Sequence, residues 1–318
     1  MKVAVLCVTA LSAFAATTPI LPEKLDDYTR GDVSPVQIAA ADRDLLQEYG
    51  LKVADQAQYT APDSRRMGVD AMQFADSEGA HAAYLWLRPS PGVRSPLTVV
   101  RFIGVRGTVG GGTTVIGWKN YVFRFHGAAP GQSAFEDMLA ALPAIDPNEP
   151  SEEVYRLYAD ESSERWLSGP VSLARFAPGI PPSTAAFHEG AKGRLVRFET
   201  PAGAMNRIVF AYSSPEAAKD RAGALHALPG AKVKVQGSRV AIILNPVDAP
   251  VTQQLLDAGA APAATWDPTY FWHGESLTLE SGIAFAFAGC VLGALIATLL
   301  RLSKPREAFP DRSISLDL

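Results

Sequence analysis

The chain has 318 residues, 47% of them hydrophobic and 19% charged, with a formal net charge of −4. A chain of this length buries enough apolar surface for one large or two small domains. Its acidic balance argues against nonspecific nucleic-acid binding, which needs basic surface to displace counterions.

The first element is a segment for export. Within residues 1–16, Lys2 supplies the positive start and Val3 to Phe14 an apolar run, and Ala13-Phe14-Ala15 offers the small-x-small pattern of signal peptidase sites. Cys7 lies inside that run behind the bulky Leu6, not at its end, so a lipid-modified cysteine is a poor fit. With Cys290 in a second apolar run near the C-terminus, the part between has no cysteine and no disulfide to hold it.

From residue 17 to 142 the pattern predicts a first α+β module. A short helix is expected over Asp42–Tyr49, with Asp42 as its N-cap. Met67–Phe74 alternates as a half-buried strand does. Ser77–Leu87 then reads as a helix, Leu97–Val105, Thr113–Gly117 and Tyr121–His126 as strands, and Gln132–Leu142 as a helix. A Pro-rich connector follows over 143–190, in which Arg165–Leu167 adds a strand. The second module, 191–267, repeats the order: strand Ile208–Tyr212, helix Pro215–Leu228, a hairpin of Ala231–Gln236 and Val240–Leu244, and helix Val251–Ala258. The joints Phe74-Ala75-Asp76-Ser77-Glu78-Gly79-Ala80 and Tyr212-Ser213-Ser214-Pro215-Glu216-Ala217-Ala218 match in kind. The fold class expected is therefore α+β, with two tandem divergent strand–helix–strand–strand–helix modules.

The chain's end reads as an anchor. A juxtamembrane aromatic segment, 268–281, leads into nineteen uncharged residues, 282–300, the length of one transmembrane helix. Arg301, Lys304 and Arg306 follow, which places the tail 301–318 in the cytoplasm and the large N-terminal part outside it. Trp266, Tyr270 and Trp272 are the expected membrane-interface anchors. Gly289, Gly293 and Ala297 fall four residues apart and would let two such helices pack closely. Gly282, Ala286, Cys290 and Ala294 make a second stripe, so the packing face stays open.

Several short motifs resemble a bacterial family of exported proteins carrying a domain of unknown function. They are Leu21-Pro22-Glu23-Lys24, Leu46-Gln47-Glu48-Tyr49-Gly50, the Asp76–Ala80 joint, Ser163-Glu164-Arg165, Gly169-Pro170 with Leu173, and the Tyr212–Ala218 stretch. The resemblance covers about Leu21 to Asp267. It implies export and a shared fold, and it brings no known activity or site residues.

The chemistry-bearing residues are sparse. His81, His126, His188, His226 and His273 are never closer than 38 residues, so no local pair has zinc-ligand spacing. There is no Gly-x-Ser-x-Gly elbow and no Ser-x-x-Lys pair. The glycines of Gly104–Gly112 precede Thr113-Thr114-Val115-Ile116, a strand former, and so suit a hairpin tip better than a phosphate loop. The paired acids Asp26-Asp27, Glu152-Glu153 and Asp160-Glu161 suit solvated surface. Charge is uneven: Gln132–Glu164 holds nine acids and one base, whereas Lys192–Arg239 holds nine bases and three acids. These stretches either face each other or face partners.

No catalytic set, cofactor site or metal site is expected. The function expected is a membrane-anchored, extracytoplasmic (periplasmic) binding or scaffold protein, with the lipid bilayer and a membrane-protein partner or second copy as its contacts. The alternative is a cell-envelope hydrolase with a site between the two modules, centred on His188 with a serine and a carboxylate.

Overall fold

A computed structural model describes residues 20–95, 102, 104–148 and 159–260, all within one compact unit, Met1–Ala263. The expected signal segment, the expected span with Gly289, Gly293 and Ala297, and the expected anchors Trp266, Tyr270 and Trp272 lie outside them. Among the described residues no helix is long and apolar enough to cross a membrane.

The first half runs β1 (Lys24–Leu25), β2 (Tyr28–Pro35), α1 (Ala40–Glu48), β3 (Leu51–Thr60), β4 (Arg66–Phe74), α2 (Ser77–Leu87) and β5 (Val93–Arg94). It continues with β6 (Arg106–Gly110), β7 (Thr113–Trp118), β8 (Tyr121–Gly127) and α3 (Gln132–Ala140). The second half runs β9 (Ala159–Leu167), α4 (Pro170–Phe176), α5 (Pro182–Ala185), a single 3-10 turn (Phe187–Glu189), β10 (Lys192–Thr200) and β11 (Gly203–Ala211). It closes with α6 (Pro215–His226), β12 (Ala231–Gln236), β13 (Arg239–Leu244) and α7 (Ala249–Ala260). The fold is mixed α+β with two antiparallel sheets.

The two sheets share an order. The first is β1-β2-β3-β4-β8-β7-β6-β5 and the second, from its other edge, β9-β10-β11-β13-β12. Strands β2-β3-β4-β8-β7 thus occupy the same successive places as β9-β10-β11-β13-β12. The match extends to single hydrogen bonds. Phe74 N donates to Asn120 O at 2.8 Å, and Tyr212 N donates to Ser238 O at 2.9 Å. Each bond ties the end of a central strand to the two-residue turn of the following hairpin. Both turns open on a positive φ, 50° at Lys119 and 57° at Gly237.

Helices lie on both faces of each sheet, and the sheets are apolar where the helices cover them. In β4, Met67, Val69 and Ala71 pack with Phe123, Phe125 and Phe135 on the α3 side, while Met72 and Phe74 pack with α1 and α2. In the second half, Ile208 and Phe210 pack with Ala218 and Leu225 of α6, and Val209 packs with Leu255 and Leu256 of α7. Side-chain alternation in a strand makes this two-sided burial automatic once both faces are roofed.

Three local expectations need correction. Helix α1 begins at Ala40 with Ala39 at its N-cap and no side-chain cap. Asp42 sits in the first turn instead, where a carboxylate still suits the helix dipole, and it pairs with Arg175 at 3.3 Å. The strand expected over Leu97–Val105 meets a turn at Gly104, whose φ is 79°, and the ladder begins at Arg106; residues 97–101 and 103 lie outside the described residues. The Pro-rich segment contributes an entire edge strand, β9, to the second sheet, and not three residues.

Candidate functional site

The halves meet along α1 and α2 on one side and β9 and α4 on the other. Tyr49 Oη donates to Trp166 O at 2.9 Å. The Glu48 carboxylate accepts from Val171 N at 2.6 Å and Ser172 N at 2.9 Å, capping the first turn of α4 from the other half. Trp86 packs against Phe176 with ring centroids 5.4 Å apart, and Arg175 lies 4.5 Å from the Trp86 centroid. Glu78 pairs with Lys192 across the same seam. Helix α2 is therefore buried nearly all round, from Ser77 to Leu85, whereas α6 buries Ala218 and Leu225.

Beside this seam lies a cleft of about 810 Å³. Its walls come from His81, Tyr84, Leu85 and Arg88 on and after α2, from residues 89–94 including β5, from residues 105–108 including β6, and from Ser162, Glu164 and Arg165 on β9. Tyr84 Oη and Thr108 Oγ1 are 2.7 Å apart and join the helix to β6. The Gly111-Gly112 turn that reverses β6 into β7 has positive φ at both residues, 57° and 75°, as a tight hairpin with right-handed strand twist requires.

His81 is 8% exposed, and its Nδ1 has no hydrogen-bond partner. Burial pushes its pKa down to about 3, and the positive charges of Arg106, Arg194 and Arg88 act in the same direction. Its ring meets Trp166 edge-on at 5.5 Å, and Trp166 Nε1 is likewise buried without a partner. Arg194 lies 4.7 Å from the Trp166 centroid and 3.5 Å from Glu164.

The comparisons with known proteins add little. No family model and no curated protein matches the chain. A solved structure described as crystal form III of TP0453 is 11% identical, covers 77% of this chain and 99% of its own, and superposes with a TM-score of 0.24. A likeness at that score carries no argument.

The other candidate residues scatter. His126 on β8 approaches Asp70 Oδ2 at 3.1 Å, beside Arg124, whose Nε donates to the same oxygen at 2.7 Å. His188 is exposed on the 3-10 turn, 3.5 Å from Glu189 and outside the cleft lining. His226 ends α6, and His273 lies outside the described residues. Among the described residues no group of three or more His, Cys, Asp or Glu could hold a metal ion. Asp26 accepts from Gly131 N and Asp27 pairs with Arg65 at 2.6 Å, so both members of that acidic pair fasten the first half's surface. Part of the charge asymmetry resolves within the fold: Glu164 pairs with Arg194 at 3.5 Å. His81 was legible as helical, but its burial was not, because the residues that bury it come from the other half.

Proposed function

We propose that the chain is an exported, membrane-tethered module that holds a small ligand in the junction cleft and performs no chemistry on it. The composition of that cleft carries the reading. Its walls come from both halves, as ligand clefts between structural units do. Its histidine is too weak a base, with a pKa near 3, to take a serine proton at neutral pH. Ser162 and Glu164 line the same cleft, yet Nδ1 of His81 bonds to neither. These features support binding over the hydrolase alternative.

In the same proposal, residues 1–16 direct export, residues 282–300 form the anchor, and the two halves are divergent tandem modules. The bilayer is then a permanent partner, and the stripe Gly289, Gly293, Ala297 offers a face for a membrane protein or a second copy. The matching sheet orders and matching strand-to-turn bonds support duplication.

Native mass spectrometry of the full-length protein, purified in detergent, tests the binding reading. A co-purifying small molecule should be present and should be lost in Ser162→Trp, which fills the cleft from an exposed position on β9. Turnover of a hydrolysable substrate that dies with His81→Gln would favour the hydrolase instead. A reporter fused after Leu318 should behave as cytoplasmic; protection of the large domain from external protease in spheroplasts would sink the export claim.

A further inference from the structure

Past the ends of α1 and α2, the same face of the first sheet holds a second pocket, of about 760 Å³. Strand register sets its floor. Gln58, Gly68 and His126 stand opposite one another across β3, β4 and β8, and two residues along Gln56, Asp70 and Arg124 do the same. Ser34 of β2 extends the second row opposite Gln56. Two polar rows thus continue the face on which Met72, Phe74 and Val122 pack with α1 and α2.

Gly68 lies inside a nine-residue central strand, where glycine weakens a sheet. Packing does not ask for it. A Cβ there would meet His126 Cβ at 3.4 Å, an ordinary contact, and the backbone has no positive φ at this residue. The place that Cβ would take is 3.6 Å from His126 Cδ2 and 3.8 Å from Gln58 Oε1. A strand glycine of this kind lets a ligand come close to the backbone.

Arg66 and Asp70 flank this gap along β4 on the same face, each about 6–7 Å away. Asp70 is only 6% exposed. Its Oδ2 accepts from Arg124 Nε at 2.7 Å and Nη2 at 2.6 Å, with His126 Nε2 at 3.1 Å. Its Oδ1 has no partner among the described residues, and neither has the exposed Arg66 guanidinium. Gln56 Nε2 donates to Ser34 Oγ at 3.3 Å and Gln58 Nε2 to Tyr59 O at 3.5 Å, which leaves both amide oxygens open.

The pocket therefore sets open acceptors beside an open donor. Its fixed charges balance, Asp32 and Asp70 against Arg66 and Arg124. A cation would meet Arg66, and an anion would meet Asp70 Oδ1 and the amide oxygens. A hydroxyl both donates and accepts, so a neutral molecule carrying several of them satisfies both sets.

We propose that this sheet pocket binds a neutral saccharide, whose hydroxyls donate to Asp70 Oδ1 and Gln58 Oε1 and accept from Arg66 above the Gly68 floor. It is a second site, independent of the junction cleft, with which it shares no described residue. A volume of about 760 Å³ lies in the range of small-molecule sites.

Saturation-transfer NMR of the full-length protein, in a detergent without a sugar headgroup, tests it. The probes are glucose, N-acetylglucosamine and maltose, with free glycine and inorganic phosphate as charged controls. At least one saccharide should bind saturably, with Kd on the order of 1 mM, and neither control should compete. Asp70→Asn should raise Kd about 10-fold, the loss of one charge-assisted hydrogen bond, and Arg66→Gln about 3-fold. Gly68→Val is the sharpest variant: it should abolish binding while Tm holds or rises, because a β-branched residue suits a strand. Lys219→Gln on α6, and Ser162→Trp in the junction cleft, should leave Kd unchanged. Thermal melts identify any variant that fails to fold, and Arg66→Gln, altered only at an exposed side chain, keeps the test open in that event. Absence of binding by every saccharide, binding that survives Gly68→Val, or preference for free glycine or phosphate overturns the proposal. Saccharide binding lost in Ser162→Trp but kept in Gly68→Val would overturn this site while supporting the junction cleft as the ligand site.

Discussion

One ladder position separates the two halves more sharply than any other. Asp70 stands opposite Arg124 in the β4–β8 pair, and the corresponding place in the β11–β13 pair is held by Ile208 and Ile242. The difference follows from what lies above each sheet. Between β9 and β10 the chain spends residues 168–191 on α4, α5 and the 3-10 turn, and Leu173, Ile180 and Ala185 roof Ile208 and Ile242. Between β2 and β3 the chain has α1 alone, and one end of the sheet face stays open to water. That open end carries Gln56, Gln58, Arg66, Asp70, Arg124 and His126 around a pocket of about 760 Å³. Two sheets of one order therefore differ in polarity because one crossover is longer, and the side chains have followed the roof.

Exchanging the pairs should break this comparison most visibly. Ile242→Arg places an uncompensated charge under α4 and α5 and should cost about 4 kcal/mol. Arg124→Met leaves Asp70 with His126 at a partly open site and should cost about 1–2 kcal/mol. Urea titration of the two variants measures the ratio, and equal losses would mean that the roof does not set the polarity.

The start of the paired helices gives a second contrast. Asp76 Oδ1 accepts from Gly79 N at 2.7 Å, and Ser214 Oγ from Ala217 N at 3.1 Å, so both helices are capped in the same way. A Cβ on Gly79 would meet Tyr49 O at 2.0 Å, whereas the second half carries alanine at the matching place, Ala217. Gly79→Ala should cost about 3 kcal/mol, because the clashing atom is backbone. Ala217→Gly should cost about 1 kcal/mol through helix propensity alone. A Gly79→Ala protein as stable as the wild type would show that α1 and α2 can part.

Glu48 tests the seam between the halves. Glu48→Ala removes both bonds to the first turn of α4, at 2.6 and 2.9 Å, and should cost about 2 kcal/mol. If the halves unfold one after the other, the loss will appear in the first transition, which breaks the seam; one shared transition would show that the seam makes them cooperative.

The smallest effect concerns acid. His81 on α2 is buried, while the matching residue of α6 is the exposed Lys219. Burial holds the His81 pKa near 3, below its ordinary 6.5, so the unfolded chain takes up the proton first as pH falls. Its contribution is complete above pH 6.5 and declines toward pH 3. Over roughly the first pH unit below 6.5 the loss is about 1 kcal/mol. The difference in stability between wild type and His81→Gln, followed by denaturation across that range, should narrow by this amount; a constant difference would mean that His81 is hydrated in the folded protein.

Local sequence determined much of this protein. The cap residues Asp76 and Ser214, the proline opening α6 and the Gly237-Ser238 turn act within a few residues of themselves, and the structure places α2, α6, β12 and β13 where their pattern does. Strand β3 was hidden for an equally local reason: a bulge at Leu51/Val53 breaks its alternation, and alanines 54 and 57 mark its faces weakly. Strand β10 was hidden because Leu195 and Val196 are both buried, on opposite faces of a sheet roofed twice. The tertiary structure alone decided the cleft. Helix α2 reads Ser77-Glu78-Gly79-Ala80-His81 and gives no sign that its outer side is covered, because its cover, Trp166 on β9, lies 85 residues further along the chain. Four arginines spread from Arg88 to Arg165 likewise carry no common signal in a linear chain. They share one space only where packing of the two halves sets four separate elements around it.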